Sequence, residues 1–242
     1  MIPSVGRVSA QVSTPATGDW QFEATPYFWA AGLNGWTRIG ARTPTVKIDP
    51  SFSDVWRNLD FGAMGSFEAR NGRWAAIFDS VYVKVSATSD PLLGGTSTAQ
   101  VGLKEAILQL AGAYRVFDSA VVPIDVVAGV RYAYLYGDLS LSKGAIIPGG
   151  SGRHDSVNWT DGFVGIRAAY RFSERWSLIG YADAGAGGTK HSWQFISSVN
   201  FNISKRFVAR FGYRIIGMDY ENTNFLYNVK TSGMFAGVGV RF

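Results

Sequence analysis

From Trp20 onward, apolar and polar residues alternate with a period of two, which is the period of a β-strand. Ten segments carry this alternation, and turn-forming residues separate them. The predicted strands cover residues 20–34, 60–70, 73–87, 97–116, 122–140, 160–172, 176–187, 191–203, 206–219 and 225–242. Each reaches the roughly 9–11 residues that a tilted strand needs to cross a bilayer. Strands of soluble proteins are usually shorter.

The connections between the predicted strands alternate between tight turns and longer polar links. Asn71-Gly72, Ser173-Glu174 and Ser204-Lys205 are tight turns. The longest link, residues 35–59, is expected to hold a small hairpin of 37–39 against 45–47 and a short helix capped by Ser51 or Ser53. Tight turns on one side, long links on the other and an even strand count are typical of bacterial outer-membrane barrels.

The two faces of each predicted strand differ in character. Val126 and Val130 share one face of a strand, whereas Asp125 and Arg131 share the other. This alternation fits a soluble barrel with apolar residues inside and equally a membrane barrel with apolar residues outside. In the predicted strand 73–87, Asp79 and Lys84 have opposite parity, so a bulge or an early exit from the membrane is expected there.

Three features favour the membrane barrel. Aromatic residues end the apolar faces beside the tight turns, as an interfacial girdle requires. They are Phe67, Trp74, Tyr114, Phe172, Trp176, Phe201 and Phe207. The polar faces are rich in glycine and arginine, which suits a crowded interior, and a closed sheet leaves no unpaired edge in lipid. The sequence therefore predicts an all-β fold, a closed antiparallel transmembrane β-barrel of about ten strands.

Composition narrows the alternatives. The 242 residues include no cysteine, which excludes a disulfide scaffold, a thiolate zinc site and a cysteine nucleophile. No apolar run reaches the roughly 18 residues of a transmembrane helix. The net charge is +5, but the basic residues interleave with apolar faces, so no nucleic-acid partner is expected. No metal site and no cofactor are predicted.

The chain divides into two parts. Residues 1–19 carry little periodic signal and are expected to form a flexible segment, and residues 20–242 form a single barrel domain. Val8-Ser9-Ala10 matches the small-x-small pattern that ends a secretory signal peptide, with chance as an equal explanation.

The end of the chain resembles a known family. The last strand alternates apolar residues and ends in Phe242, which resembles the C-terminal strand signature of bacterial outer-membrane barrels. The turn at 170–176 resembles the periplasmic turns of the small OmpA/OmpX/OmpW-like superfamily. Segments 27–33, 51–54 and 65–70 are similar to a set of such barrels common in alphaproteobacteria. The resemblance implies that the chain lies in the outer membrane and that the barrel assembly machinery reads Phe242 as an assembly signal.

Strand parity places six acids and six arginines inside the barrel. They are Glu23, Glu68, Asp79, Asp125, Asp161 and Asp183, with Arg115, Arg131, Arg167, Arg171, Arg210 and Arg214. An unpaired buried charge is costly, and arginine binds carboxylates through two parallel hydrogen bonds, so these groups are expected to pair. A ten-strand barrel is only slightly wider than one that side chains fill. The pattern favours a narrow, salt-bridged lumen with a structural or interaction role, and a small-solute or ion channel is the alternative.

Two further hypotheses concern the long links. Arg38, Arg42 and Lys47 are candidates for contact with lipopolysaccharide, because basic groups attract anionic headgroups, and ordinary loop charge is an equal explanation. A lipid A hydrolase or protease at the rim is the weaker alternative and would need His154 or His191. Ser192 follows His191 directly, so their side chains point to opposite faces of a strand, and no catalytic residue is predicted.

Overall fold

The computed structural model of the protein describes residues 19–40, 44–88, 98–141 and 151–242. Their elements are β1 (Trp20–Ile39), β2 (Val46–Ile48), α1 (Phe52–Arg57), β3 (Leu59–Asn71), β4 (Trp74–Thr88), β5 (Ala99–Phe117), β6 (Ile124–Leu141), β7 (Ser151–Arg171), β8 (Trp176–Gly187), β9 (His191–Asn202), β10 (Phe207–Glu221) and β11 (Phe225–Arg241). Among these residues, no helix has the length and apolar character needed to span a membrane.

The strands close into a barrel. From β3 to β11, each strand pairs antiparallel with the next, and β1 pairs with β3 on one side and with β11 on the other. The short β2 lies outside this ring of ten strands and pairs only with the end of β1. The predicted fold is confirmed: a closed antiparallel β-barrel of ten strands, with one extra strand.

The apolar side chains face outward. Phe211, Ile166 and Val130 are 56%, 51% and 49% exposed, whereas Arg131 and Arg214 are 0% and 2% exposed. A soluble barrel would show the reverse distribution. The exterior instead offers acyl chains an apolar surface, and every barrel strand is paired on both sides over at least part of its length, as lipid demands of the backbone.

Two strands are longer than the alternation predicts. The β1 strand continues to Ile39 rather than residue 34, and β7 begins at Ser151 rather than at 160. The outward residues Ser156, Asn158 and Thr160 are polar, which is why this stretch looked like a link. Its inward residues Val157 and Trp159 are buried, so the strand continues beyond the belt of outward-facing apolar side chains around the barrel, which is called the apolar band below. The predicted link at 142–157 is therefore shorter, and its residues 142–150 lie outside the described part.

The first long link contains the predicted helix and a hairpin, which pairs residues 35–37 with 46–48 rather than 37–39 with 45–47. The hairpin partner of β2 is the end of β1 itself, with Trp36 opposite Lys47. Ser51 caps α1: its hydroxyl accepts from the backbone N–H of Asp54, and the Asp54 carboxylate accepts from the Ser51 N–H in return.

Asp79 and Lys84 lie on opposite faces of β4, and the irregularity is on the partner strand β3. Asp79 points into the barrel, whereas Lys84 points outward and lies 3.2 Å from the carboxylate of Asp60. The pairing of β3 with β4 shifts register between Leu59 and Phe61, opposite this lysine. The outward face of β4 therefore becomes polar at Lys84, toward the long links.

Candidate functional site

The barrel interior holds a closed circuit of hydrogen bonds and ion pairs at mid-height. It is called the central ring below, and its members come from seven different strands. They are Tyr27 on β1, Asp79 on β4, Gln109 on β5, Arg131 on β6, Asp183 on β8, Gln194 on β9 and Arg214 on β10.

One half of the central ring is organised by Arg131. Its Nη2 donates to both carboxylate oxygens of Asp183, at 2.8 and 2.7 Å. Its Nε donates to Oε1 of Gln109 at 3.1 Å, and Nε2 of Gln109 donates to Asp79 at 3.1 Å. The guanidinium also lies over the ring of Phe163 at 4.9 Å. Arg131 is fully buried, and these contacts replace the hydrogen bonds that water would otherwise make to its guanidinium.

The other half of the central ring is organised by Arg214. Its Nε donates to Oε1 of Gln194 at 2.9 Å, and Gln194 donates to Asp183 at 3.1 Å. Its Nη1 donates to the hydroxyl of Tyr27 at 2.7 Å, and that hydroxyl donates to Asp79 at 2.8 Å. Two arginines face two aspartates, so the ring balances its formal charge. A buried polar network of this kind is stabilising only when its members satisfy each other.

A second cluster lies nearer the tight-turn end of the barrel. Asp125 accepts from Arg70 at 2.8 Å, from Arg167 at 2.8 Å and from Arg115. Glu68 accepts from Arg167 at 2.7 Å and from Arg70 at 3.1 Å. Three arginines thus share two carboxylates in this cluster.

A third cluster lies at the same end, against β1. Glu23 accepts from Arg210 and, at 2.8 Å, from Arg241. Arg241 also donates to the side chain of Asn202 at 3.0 Å. A cavity of about 180 Å³ lies between the central ring and these two clusters, with Ile77, Phe163 and five of the seven ring members among its lining residues.

The half of the interior toward the long links is apolar. It is filled by a layer of buried side chains, which comprises Trp29, Val81, Ile107, Ala133, Leu135, Val157, Trp159, Ile216, Met218, Phe225, Tyr227 and Val229. Glu105 is within this half and accepts a hydrogen bond from the hydroxyl of Tyr227 at 3.2 Å. The central ring and the apolar layer therefore occupy successive levels of the barrel.

Ten of the twelve charged residues assigned to the interior lie in these clusters, and two differ. Arg171 is exposed at the tight-turn rim and donates to the carbonyl of Ala120 at 3.0 Å, because strand parity continues past the end of the apolar band. Asp161 is directly opposite Arg131 in the sheet register but accepts from the N–H and hydroxyl of Thr189. It therefore holds the turn between β8 and β9.

Several members of the clusters were not predicted. Arg70 and Arg241 have inward parity near a strand end but are not among the twelve charged residues predicted to lie inside. Tyr27, Gln109 and Gln194 are uncharged, so a search for inward charges does not find them. The available signal was a glutamine on an inward face among apolar residues, as Gln109 is between Ile107 and Ala111.

The proposed outer contacts lie on the first long link. Lys47 is exposed on β2, and Arg38 donates to the carbonyl of Asn222 at 3.4 Å and lies 3.9 Å from Glu221. Arg42 lies outside the described residues. At the other end of the barrel, Phe242 exchanges two backbone hydrogen bonds with Phe22, and their rings stack at 5.7 Å. Its role as an assembly signal stays a prediction.

The two histidines lie toward the long links, on different strands. His191 is exposed with Nδ1 3.9 Å from Asp219, whereas Ser192 is buried on the opposite face. His154 stacks on Tyr136 with ring centroids 6.2 Å apart. Within the part of the chain that the structure describes, no group of three or more histidines and carboxylates is placed to hold a metal ion.

No protein-family model matches the sequence. The virulence membrane protein PagC of Salmonella typhimurium is 34% identical over 125 residues, which are 46% of this chain and 65% of PagC. The match thus spans less than two thirds of that relative. Among solved structures, the outer-membrane protease OmpT of Escherichia coli aligns with 93% of this chain and 98% of its own, at a TM-score of 0.55 and 10% identity. At that identity the likeness concerns the fold alone.

Proposed function

We propose that this chain, a small β-barrel protein of the bacterial outer membrane, has a lumen closed at mid-height and acts through its outer surface. Its fold and its location are those predicted from the sequence, in agreement with the closed barrel and the similarity to PagC. The observation that carries the proposal is the central ring, since its members lie across the interior and Arg131 and Asp183 have no exposed side-chain surface.

Two physical arguments support a closed lumen. A permeating ion at mid-height would have to displace Arg131 from Asp183, and separating a buried ion pair without replacing either partner costs several kcal/mol, roughly 3–5. The apolar layer beyond the ring offers a permeating ion few polar groups in place of its hydration shell; among the described residues they include Glu105, Tyr227 and Thr231. Barrels of about this width are commonly filled by side chains.

An interaction role at the cell envelope is supported by the exterior. The polar outward faces of β6 and β7 continue well beyond the apolar band, so these strands present a folded surface outside the membrane. PagC, the similar Salmonella protein, is a virulence membrane protein, which is consistent with such a surface role. Lipopolysaccharide at Arg38, Arg42 and Lys47 is the proposed lipid partner, and the barrel assembly machinery is the proposed partner during biogenesis.

A planar lipid bilayer tests the closed lumen. We expect the wild-type barrel, its folding verified by altered gel migration on boiling, to give no conductance steps. The double variant Arg131→Ser with Arg214→Ser removes both cations of the central ring and leaves the apolar layer in place: steps from it would assign the closure to the ring, whereas silence would show that the apolar layer also closes the lumen. The matched control, Arg175→Ser with Arg206→Ser, changes two arginines at tight turns and should stay silent. Steps from the wild type would replace this proposal with the small-solute channel.

We also propose that the barrel has no hydrolytic activity, because among the described residues neither histidine is hydrogen-bonded to a serine: His154 stacks on Tyr136, and His191 lies near Asp219. The alternative of a rim hydrolase or protease is tested with peptide and lipid A substrates. Hydrolysis by the wild type that is lost in His154→Ala or His191→Ala would establish the enzyme. Hydrolysis that persists in both variants would point to a contaminant.

A further inference from the structure

The wall of the barrel is incomplete between β1 and β3. Their pairing begins at Trp20 opposite Asn71 and ends at Pro26 opposite Gly65. Beyond Pro26, which has no N–H to donate, β1 continues to Ile39 against β11, whereas residues 59–64 of β3 are paired only with β4 among the described residues. We call the facing edges, residues 27–33 of β1 and 59–64 of β3, the seam.

Substitute contacts satisfy two backbone N–H groups at the seam. The N–H of Trp29 donates to the thioether sulfur of Met64 at 3.2 Å, and a thioether is a weak acceptor. The N–H of Leu33 donates to the carbonyl of Pro50, in the first long link, at 3.0 Å. Because unsatisfied backbone groups are costly in lipid, the seam requires cover that the rest of the wall does not need.

The helix α1 supplies part of this cover from outside the barrel. Phe52 and Trp56, four residues apart and hence on one face, bring their rings to 6.0 and 5.4 Å from that of Phe28 on β1. Gly32 allows this approach, since a Cβ there would lie 3.0 Å from the Pro50 carbonyl oxygen. No residue of α1 is buried, and Trp56 remains 54% exposed. The cover is therefore itself an exposed apolar surface.

The apolar surface around the seam extends toward the long-link side. Phe28 and Phe61 border the seam on its two strands, and both are exposed. On β7, by contrast, the outward residues toward the long links are polar. Arg57 and Lys47, both exposed, flank Phe52 along the chain and bring positive charge to the edge of this surface. An apolar patch bordered by cations suits a lipid with a phosphorylated headgroup.

We propose that the seam and α1 form a binding site for an acyl chain of lipopolysaccharide, held between Phe28, Trp56 and Phe61. The long links lie on the outer side of such barrels, so the seam faces the outer leaflet, where this lipid resides. The bound chain completes the cover over the part of the wall that no described strand closes. The proposal rests on lipopolysaccharide being the lipid partner proposed above, and it is independent of whether the lumen conducts, because the site is on the outside of the wall.

Native mass spectrometry of the barrel released from micelles tests the site, with lipopolysaccharide or phosphatidylethanolamine added before release. We expect the wild type to retain lipopolysaccharide, and Trp56→Ala and Phe61→Ala to lower the retained fraction several-fold. Phe211→Ala is the matched control, because Phe211 and Phe61 are both 56% exposed and Phe211 lies on β10, away from the seam. The control should retain lipid like the wild type.

Four outcomes would overturn the proposal. Equal retention in the wild type and all three variants, or no retention at all, would mean that the seam meets lipid only as the rest of the wall does. Equal retention of phosphatidylethanolamine would exclude lipopolysaccharide as the specific ligand. A mass of two chains without lipid, lost in Trp56→Ala, would show that a second copy covers the seam. Altered gel migration on boiling verifies that each variant is folded.

Discussion

Arg131 and Asp183 form an ion pair that is wholly removed from solvent, with Nη2 of the arginine 2.7 Å from the nearer carboxylate oxygen. They belong to β6 and β8, which are separated by β7. The residue directly opposite Arg131 on β7 is Asp161, but its carboxylate is taken by the turn at Thr189. Arg131 therefore reaches past its nearest neighbour, and its partner depends on a turn at the far end of β8.

Removing one member of this pair should strongly destabilise the barrel. Arg131→Met leaves Asp183 buried without its cation, which costs about 3–5 kcal/mol in comparable pairs. Tyr181 and Gln194 still donate to the carboxylate and reduce the loss, so we expect the lower part of that range. Equilibrium unfolding in urea, with the barrel in lipid vesicles, measures the change.

The double variant Arg131→Met with Asp183→Leu is the control for this prediction. It removes both charges, so it should recover much of the stability that the single variant loses. If the double variant is as unstable as the single one, the loss comes from packing rather than from the uncompensated carboxylate.

Glycines on the inward faces should be less replaceable than those facing lipid. Gly212 lies between Arg210 and Arg214, and a Cβ there would come within 2.8 Å of the Cα of Ser198 on β9. Gly212→Ala should therefore lower the free energy of unfolding by roughly 1–3 kcal/mol. Gly162→Ala is the control, since an added Cβ meets nothing within 4 Å, and it should leave stability nearly unchanged. If Gly212→Ala and Gly162→Ala lowered the free energy of unfolding equally, the close approach of β9 to Gly212 would not be the cause of the loss.

Much of the fold follows from the period-two alternation, because a β-strand puts neighbouring residues on opposite faces. Val130 and Arg131 illustrate this: one faces outward and the other is fully buried, as their parity predicts. Parity alone does not fix the direction of the apolar face. The aromatic residues beside the tight turns indicate that the apolar face points outward, because rings such as Trp74 and Trp176 favour the edge of a membrane. The beginning of β7 was missed because its outward residues are polar outside the apolar band.

The candidate site could be predicted only in part. Parity identified the charged residues that point inward, but not which of them meet, because pairing depends on the height of each residue in a tilted barrel. Asp161 and Asp183 have the same parity, yet only Asp183 binds Arg131. In the sequence, Pro26 is the only indication of the seam. A proline in a strand predicts a missing hydrogen bond, but it does not show where strand pairing ends.

Neutralising the basic residues of the first long link should weaken binding to lipopolysaccharide. We expect Arg38→Gln, Arg42→Gln and Lys47→Gln together to lower the affinity of the folded barrel for purified lipopolysaccharide, measured by isothermal titration calorimetry. Lys47 should contribute more than Arg38, because Arg38 already donates to Asn222 and lies near Glu221. The same number of changes at the tight-turn side, Arg175→Gln, Lys205→Gln and Arg206→Gln, is the control. Unchanged affinity in the first variant would remove these residues as contacts.

Acid should release the cap of α1 in a way that depends on Ser51. The Ser51 hydroxyl and N–H donate to the carboxylate of Asp54 at 2.6 and 3.0 Å, and these bonds hold the pKa of Asp54 below its ordinary range. Because the folded pKa is lowered, the cap contributes stability above the unfolded pKa and loses it as the pH falls through the folded one. A carbon-13 titration of the Asp54 carboxyl in micelles should therefore have its midpoint below that of an unstructured aspartate. Ser51→Ala should move the midpoint upward, whereas Ser53→Ala, whose hydroxyl contacts only that of Ser51, should move it less. A midpoint that is the same in wild type and Ser51→Ala would show that the capping hydroxyl does not stabilise the charged carboxylate.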